Sequence, residues 1–158
     1  MKTHGKHSVI FSIALAIITI FTFAPQLYAQ GDQAVVQGQK EIVQGCKQML
    51  AGSKKIMAVL QKKGLVDEEI KAINKQMMDG YDLVMKGNGM MSGNTMAQGQ
   101  EMMKRGAAMV LKAHNDMVAA VEKKGMTKVC AIDLHECHYA AQKIQHGALQ
   151  WYFGTTGF

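Results

Sequence analysis

The stretch from Cys130 to His138 concentrates side chains that can bind a metal ion. It contains two of the three cysteines of the chain, Cys130 and Cys137, and it ends in the pair Cys137-His138. Thiolate and imidazole groups suit copper, and sulfur in particular suits Cu(I). The same groups bind haem iron. The residue types of this stretch therefore predict a metal or haem site.

A seven-residue spacing places the two cysteines on one face of a helix. Ile144 and Trp151 follow Cys130 and Cys137 at the same interval, and seven residues are close to two helical turns. Both thiols are therefore predicted to point into a core, with His138 beside that face. Cysteines seven residues apart in one helix have Cα atoms ~10 Å apart, which is too far for a disulfide between them.

Apolar residues at seven-residue spacing predict the helices that position this stretch. They run through residues 33–63, 67–87, 95–124 and 127–152. Residues 87–95 are rich in glycine and polar side chains, so they predict a loop in the middle of the chain. Short turns join the first and last pairs of segments. The sequence therefore predicts an all-α fold, an antiparallel up-down-up-down four-helix bundle.

The chain repeats itself at an offset of 61 residues. The tripeptide Gln-Gly-Gln occurs at residues 37–39 and 98–100, and Lys-Lys-Gly occurs at residues 62–64 and 123–125. Two helical hairpins that arose by duplication are the simplest account of these matches.

Glycines form a line of their own in the first segment, at Gly38, Gly45 and Gly52. Glycine inside a helix costs about 1 kcal/mol relative to alanine, so a regular line of glycines indicates a packing role. We expect this line to lie at a close contact with another helix.

The first residues are typical of a secretory signal peptide. Lys2 and Lys6 precede an apolar run, and Leu27-Tyr28-Ala29 ends it with a cleavage site. We expect residues 1–29 to be removed and the mature protein to begin at Gln30. The protein is then periplasmic or secreted, with no stable membrane span after processing.

The mature part of the chain is predicted to be one domain. Residues 30–153 form the bundle, and residues 154–158 a loose tail. The whole chain carries a net charge of +6, with lysines spread along it rather than grouped with aromatic residues, which argues against nucleic-acid binding. His135 and His146 are interpreted as polar surface residues.

Hairpin geometry predicts that several candidate ligands share one layer of the bundle. With a turn near residues 125–126, His114 lies level with Cys137 and His138, and Cys46 lies at a similar depth to Cys137. The predicted metal ligands are Cys46, His114, Cys137 and His138, and the predicted cofactor-binding residues are Cys137, His138, Met49 and Met85.

Other interpretations of the sulfur-containing residues stay open at this point. Cys46 and Cys137 would form a disulfide if the exported thiols oxidise, as exported cysteines usually do. Most methionines fit a core-filling role beside the glycines. Met90, Met91 and Met96 cluster in the polar loop, where they form either a hydrophobic plug for the bundle end or a soft-metal loop.

The Cys137-His138 pair on a fourth helix resembles the cytochrome c-prime group of exported four-helix-bundle haem proteins. That family attaches haem through a Cys-x-x-Cys-His motif on its last helix, and the histidine binds the iron. Here position 134 is leucine and the spacing is Cys-x6-Cys-His. The resemblance therefore implies a single attachment at Cys137, or haem bound without attachment.

Enzyme signatures are missing from the sequence, which contains no Gly-x-Ser-x-Gly, no phosphate-binding loop and no Glu-x-x-His pair. The sequence predicts a non-enzymatic bundle that binds copper or haem between its helices, for electron transfer or metal handling. The alternative is a structural or interaction module with a Cys46–Cys137 disulfide and no cofactor. Its glycine and methionine faces would pair with a second copy, as a homodimer, or with another partner.

Overall fold

Four helices make up the fold. A computed structural model describes the backbone of residues 7–156 and the side chains of residues 33–152, 154 and 155. The helices are α1 (His7–Lys62), α2 (Glu68–Gly89), α3 (Met96–Lys123) and α4 (Ala131–Thr156), with a 3-10 turn at Gly93–Thr95 before α3. The described residues include no strand, so the predicted all-α four-helix bundle is confirmed.

Two helix pairs carry most of the packing. α1 lies along α4 and α2 lies along α3, and the contacts of α1 with α2, of α1 with α3 and of α3 with α4 are much less extensive. Gly38 of α1 meets Gly147 of α4, whereas Gly52 meets Cys137. This register shows that α1 and α4 are antiparallel. The most extensive helix–helix contacts therefore join one repeat to the other, rather than the two helices within one duplicated hairpin.

The repeated Lys-Lys-Gly segments end α1 and α3 in the same way. Gly64 and Gly125 have φ angles of +68° and +67°, which are open to glycine without strain. The residue after each glycine donates its N–H to the carbonyl five residues earlier, at 2.9 and 3.0 Å. These are the hydrogen bonds of a Schellman cap, so the two repeats share a local structure as well as a sequence.

The predicted seven-residue lines form the core. Cys130, Cys137, Ile144 and Trp151 are all buried. Burying such apolar side chains stabilises the fold by about 25 cal/mol per Å² of apolar surface. The core also contains five methionines, which confirms the core-filling interpretation for Met49, Met77, Met103, Met117 and Met126.

Helix α4 differs from the prediction at both ends. It begins after a turn at residues 127–130, so Cys130 precedes the helix while remaining buried. It continues to Thr156, where the side chain of Thr155 donates to the carbonyl of Trp151 at 3.0 Å. Residues 154–156 are thus helical rather than a loose tail, and residues 157–158 lie outside the described part.

The predicted leader, residues 1–29, lies outside the residues whose side chains the structure describes. Its removal stays a prediction. Among the described residues, no helix has the length and apolar character needed to cross a membrane.

Candidate functional site

The glycine line of α1 brings its backbone against that of α4. A Cβ atom built on Gly38 would lie 2.4 Å from the carbonyl oxygen of Gly147, and one built on Gly147 would lie 2.6 Å from that of Gly38. Gly87 and Gly99 form the equivalent contact between α2 and α3, with corresponding distances of 2.5 and 2.7 Å. Only glycine fits at these positions, so the predicted close helix contact is confirmed.

Cys137 fills the space that Gly52 leaves open. A Cβ atom on Gly52 would lie 2.5 Å from the Cys137 sulfur, and the thiol donates to the backbone carbonyl of Met49 at 3.9 Å. The thiol is therefore part of the packing between α1 and α4.

The register of α1 against α4 separates Cys46 from Cys137. Gly45 faces Ala140 and Gly52 faces Cys137, so Cys46 lies about one helical turn, roughly 5 Å, along the helix from the level of Cys137. That Cys46 and Cys137 share one layer of the bundle, to within about a turn, stays a prediction.

The three cysteines are free and buried, so the disulfide between Cys46 and Cys137 that the sequence allowed is not formed. Burial raises the pKa of the Cys46 thiol to about 12. Burial, aided by the nearby carboxylates of Asp133 and Glu136, raises the pKa of Cys137 to about 11. Thiols must lose their proton to bind a metal, so these two are better suited to packing than to ligation.

Thiol labelling checks this assignment. We expect iodoacetamide at pH 8 to modify Cys46 and Cys137 at least 100-fold more slowly in the native protein than in urea, because alkylation needs an exposed thiolate. Mass spectrometry should find three modified cysteines per chain after unfolding. Unfolded protein that takes up only one label would instead reveal a disulfide.

His114 and His138 lie side by side at the seam between α3 and α4. Their ring centroids are 6.5 Å apart, with the ring planes tilted by 44°, as expected from the hairpin geometry. His114 is only 5% exposed and has no hydrogen bond to any residue whose side chain is described. His138 is exposed, and its Nε2 lies 3.4 Å from the side-chain nitrogen of Gln142.

Burial lowers the pKa of His114 below its usual value of 6.5, and the charge of His138 lowers it further. The native state therefore resists protonation of His114, whereas the unfolded chain accepts a proton near pH 6.5. At neutral pH the imidazole is unprotonated, which is the form that binds metal ions.

The stability of the protein should depend on pH through His114. We expect the free energy of unfolding to decrease as the pH falls below about 6.5, with a slope of at most about 1.4 kcal/mol per pH unit for one proton. Urea unfolding between pH 7.5 and 5.5 measures this slope. His114→Gln should flatten it, while His135→Gln, at an exposed site on α4, should leave it unchanged.

The histidine pair has no counterpart in the first repeat. His114 corresponds to Ser53 at the offset of 61 residues, and these two are the buried polar residues of the described core. The Ser53 hydroxyl is buried without a hydrogen-bond partner among the described residues.

The structure does not gather the rest of the predicted ligands around this pair. Met85 is half-buried on α2, and no described Cα atom of α2 lies within 8 Å of one in α4; the role of Met85 as a cofactor ligand stays a prediction. Met49 is fully buried. No three side chains of histidine, cysteine, aspartate or glutamate converge on one point in the described region.

The remaining sequence candidates lie elsewhere. His135 and His146 are exposed, as predicted for surface residues, and His146 Nδ1 pairs with a Glu41 carboxylate oxygen at 2.6 Å. In the polar loop, Met91 packs against the core, which favours the hydrophobic plug, whereas Met96 is 44% exposed.

A groove between α3 and α4 was not predicted from the sequence. Its volume is about 530 Å³, and its walls include Ile42, Leu111, Ile144 and Trp151. Several of its lining residues are alanines. Alanine has no polar or charged group that would mark a binding site in the sequence.

No protein-family model, curated protein or solved structure matches the chain.

Proposed function

We propose that the protein is an exported, non-enzymatic bundle that binds a copper ion between His114 and His138. The observation that carries this proposal is the separation of the two rings, 6.5 Å between centroids. Imidazole nitrogens bind a metal ion at about 2.0–2.1 Å, so an ion held by two rings leaves their centroids about 4.5 Å apart when the two bonds are at right angles and about 6.4 Å apart when they are opposite each other.

Copper suits this pair better than other divalent ions. Imidazole is a good ligand for copper, zinc and nickel, and Cu²⁺ binds a given nitrogen site most tightly of the first-row divalent ions. Two protein ligands leave coordination positions open, unlike the four closed ligands of a structural zinc site. Open positions fit metal handling or electron transfer, and the cysteines serve as packing residues.

Haem has less support than copper. Haem iron needs an axial histidine, cysteine, methionine or tyrosine. Among the described residues that line the groove large enough for a bulky ligand, Tyr152 is the single residue of these four types. The Cys137 sulfur, the attachment point implied by the cytochrome c-prime resemblance, is packed over Gly52 instead.

Metal analysis of exported protein tests the proposal. Protein purified from the periplasm should be loaded with copper, dialysed against buffer and measured for copper and for a Soret band. We expect one copper per chain and no Soret band. Retention of less than about 0.1 copper per chain would reject the copper site.

If the copper site is rejected, the alternative is that the protein is a structural or interaction module. The observation in its favour is the exposed apolar pair Ile132 and Tyr139, which are 77% and 61% exposed and lie seven residues apart on α4. Such residues would form part of a contact with a second copy or another protein.

A further inference from the structure

The bundle consists of two closely packed helix pairs, the terminal pair (α1 and α4) and the central pair (α2 and α3). Within each pair the backbones approach closely. A Cβ atom built on Gly45 would lie 2.9 Å from the carbonyl oxygen of Ala140, and one built on Gly80 would lie 2.9 Å from that of Gly106. The contacts between the two pairs are much less extensive. Helices packed this closely cannot slide or rotate past each other without clashes, so each pair is a rigid unit.

Ion pairs between helices follow the same division. Lys55 of α1 contacts Glu136 of α4 at 2.7 Å, and Lys123 of α3 contacts Glu69 of α2 at 3.0 Å. Among the described residues, each ion pair that joins two helices or their caps lies inside one of the two pairs. Exposed ion pairs contribute little energy each, but here they add to the cohesion of the pairs and not to the contact between them.

Both connections between the two pairs lie at one end of the bundle. Residues 63–67 join α1 to α2, and residues 124–130 join α3 to α4. Because α1 and α4 are antiparallel, the end of α1 and the start of α4 are neighbours. Residues 90–95, at the opposite end, connect the two helices of the central pair to each other. Two rigid bodies joined at one end have the layout of a hinge.

Polar side chains bridge the two seams, α1–α2 and α3–α4, at which the pairs meet. At the first seam, the side chain of Gln39 donates to that of Asn88 at 2.9 Å. At the second, His114 of the central pair lies beside His138 of the terminal pair. An ion held by both rings would therefore tie one pair to the other.

We propose that the two pairs separate as rigid units about residues 63–67 and 124–130, and that a metal ion held by His114 and His138 is a clasp that keeps them together. The clasp rests on the copper site proposed above, whereas the separation does not. An ion bound by both histidines loses one of these ligands when the pairs part. Metal binding therefore favours the closed bundle, and by the same coupling the opening of the bundle releases the metal.

Two native thiols distinguish this opening from complete unfolding. Cys46 lies seven residues after Gln39, so it is on the face of α1 that meets α2, where it is fully buried. Cys137 is packed over Gly52 inside the terminal pair. Separation of the two pairs exposes Cys46 and leaves Cys137 covered.

Alkylation of the unmodified protein in EDTA tests the separation. Iodoacetamide labelling is followed for each cysteine by peptide mass spectrometry, and each rate is divided by the rate of the same cysteine in urea-unfolded protein. We expect Cys46 to be at least about 10-fold less protected than Cys137, because opening of part of the structure costs less than global unfolding. Equal protection of the two thiols would show that they are exposed together, which would overturn the proposal.

Nickel tests the clasp, because imidazole binds Ni²⁺ and Ni²⁺ does not oxidise thiols as copper does. Calorimetric titration gives its dissociation constant. At 100 times that concentration, Ni²⁺ should slow the labelling of Cys46 about 100-fold, since a ligand of the closed form alone reduces the open population by this factor. His138→Ala, checked for folding by circular dichroism, should label at the same rate with and without Ni²⁺.

The outcomes separate the clasp from the copper site. If Ni²⁺ binds the unmodified protein and not His138→Ala, yet the labelling of Cys46 does not change, the clasp is wrong and the histidine site stands. If neither nickel nor copper binds, the site and the clasp are both rejected, and the labelling in EDTA still decides whether the pairs separate.

Discussion

Gly38→Ala is expected to destabilise the protein by about 2–3 kcal/mol. The added methyl group would lie 2.4 Å from the carbonyl oxygen of Gly147 and 2.7 Å from the backbone nitrogen of Trp151. These neighbours are backbone atoms, so the whole of α4 must move away from α1 to relieve the clash. Overpacking of this kind costs about 1–3 kcal/mol and occasionally more. Urea unfolding followed by circular dichroism measures the loss.

Gly45→Leu, in the same line, should be at least as destabilising, because the first atom of its side chain already meets Ile144 at 2.5 Å. Gly89→Ala is the matched control. Gly89 is the last residue of α2, and a Cβ atom there meets nothing within 4 Å. Alanine is the better helix former by about 1 kcal/mol, so this variant should be neutral or slightly stabilised. If Gly38→Ala and Gly89→Ala unfold at the same urea concentration, α1 and α4 are not in backbone contact.

His138→Ala is expected to weaken copper binding at least 100-fold. Even residues that only orient a metal ligand contribute about 10–100-fold to affinity, and His138 is one of two proposed ligands. Its side chain is exposed, so the variant should remain folded. Copper titration against a competing chelator measures the affinity.

His135→Ala and Cys137→Ala are the controls for this prediction. His135 is exposed on the same helix, three residues before His138, and its removal should change the affinity by less than about twofold. Cys137→Ala tests whether a thiolate binds the ion. Copper affinity that survives in His138→Ala but disappears in Cys137→Ala would assign the site to sulfur and reject the histidine pair.

Local and periodic features of the fold were predictable from the sequence. Each of these features depends on residues within a few helical turns of one another. They are the apolar lines, the Lys-Lys-Gly caps, and the glycine line at Gly38, Gly45 and Gly52. Such features are set by helix geometry and by the preference of glycine for positive φ. It was also predictable that His114 and His138 lie at the same height along the bundle, because only one short turn separates α3 from α4.

The relative depth of residues on α1 and on α4 was not predictable in the same way. The depth of Cys46 relative to Cys137 depends on how α1 docks onto α4, whose connection runs through the two other helices. That docking is decided by backbone contacts such as Gly38 with Gly147, which the spacing of residues within either helix does not reveal.

The sequence by itself determined the helices, their buried faces and the positions where a backbone can approach closely, because each depends on the spacing of residues along one chain segment. Only the tertiary structure decided which helices pair, that the three cysteines are free thiols, and that Ala97, Ala108 and Ala148 border a groove. Those properties arise from the distance between helices, which depends on the summed packing of all four and is not encoded in the periodicity of any one of them.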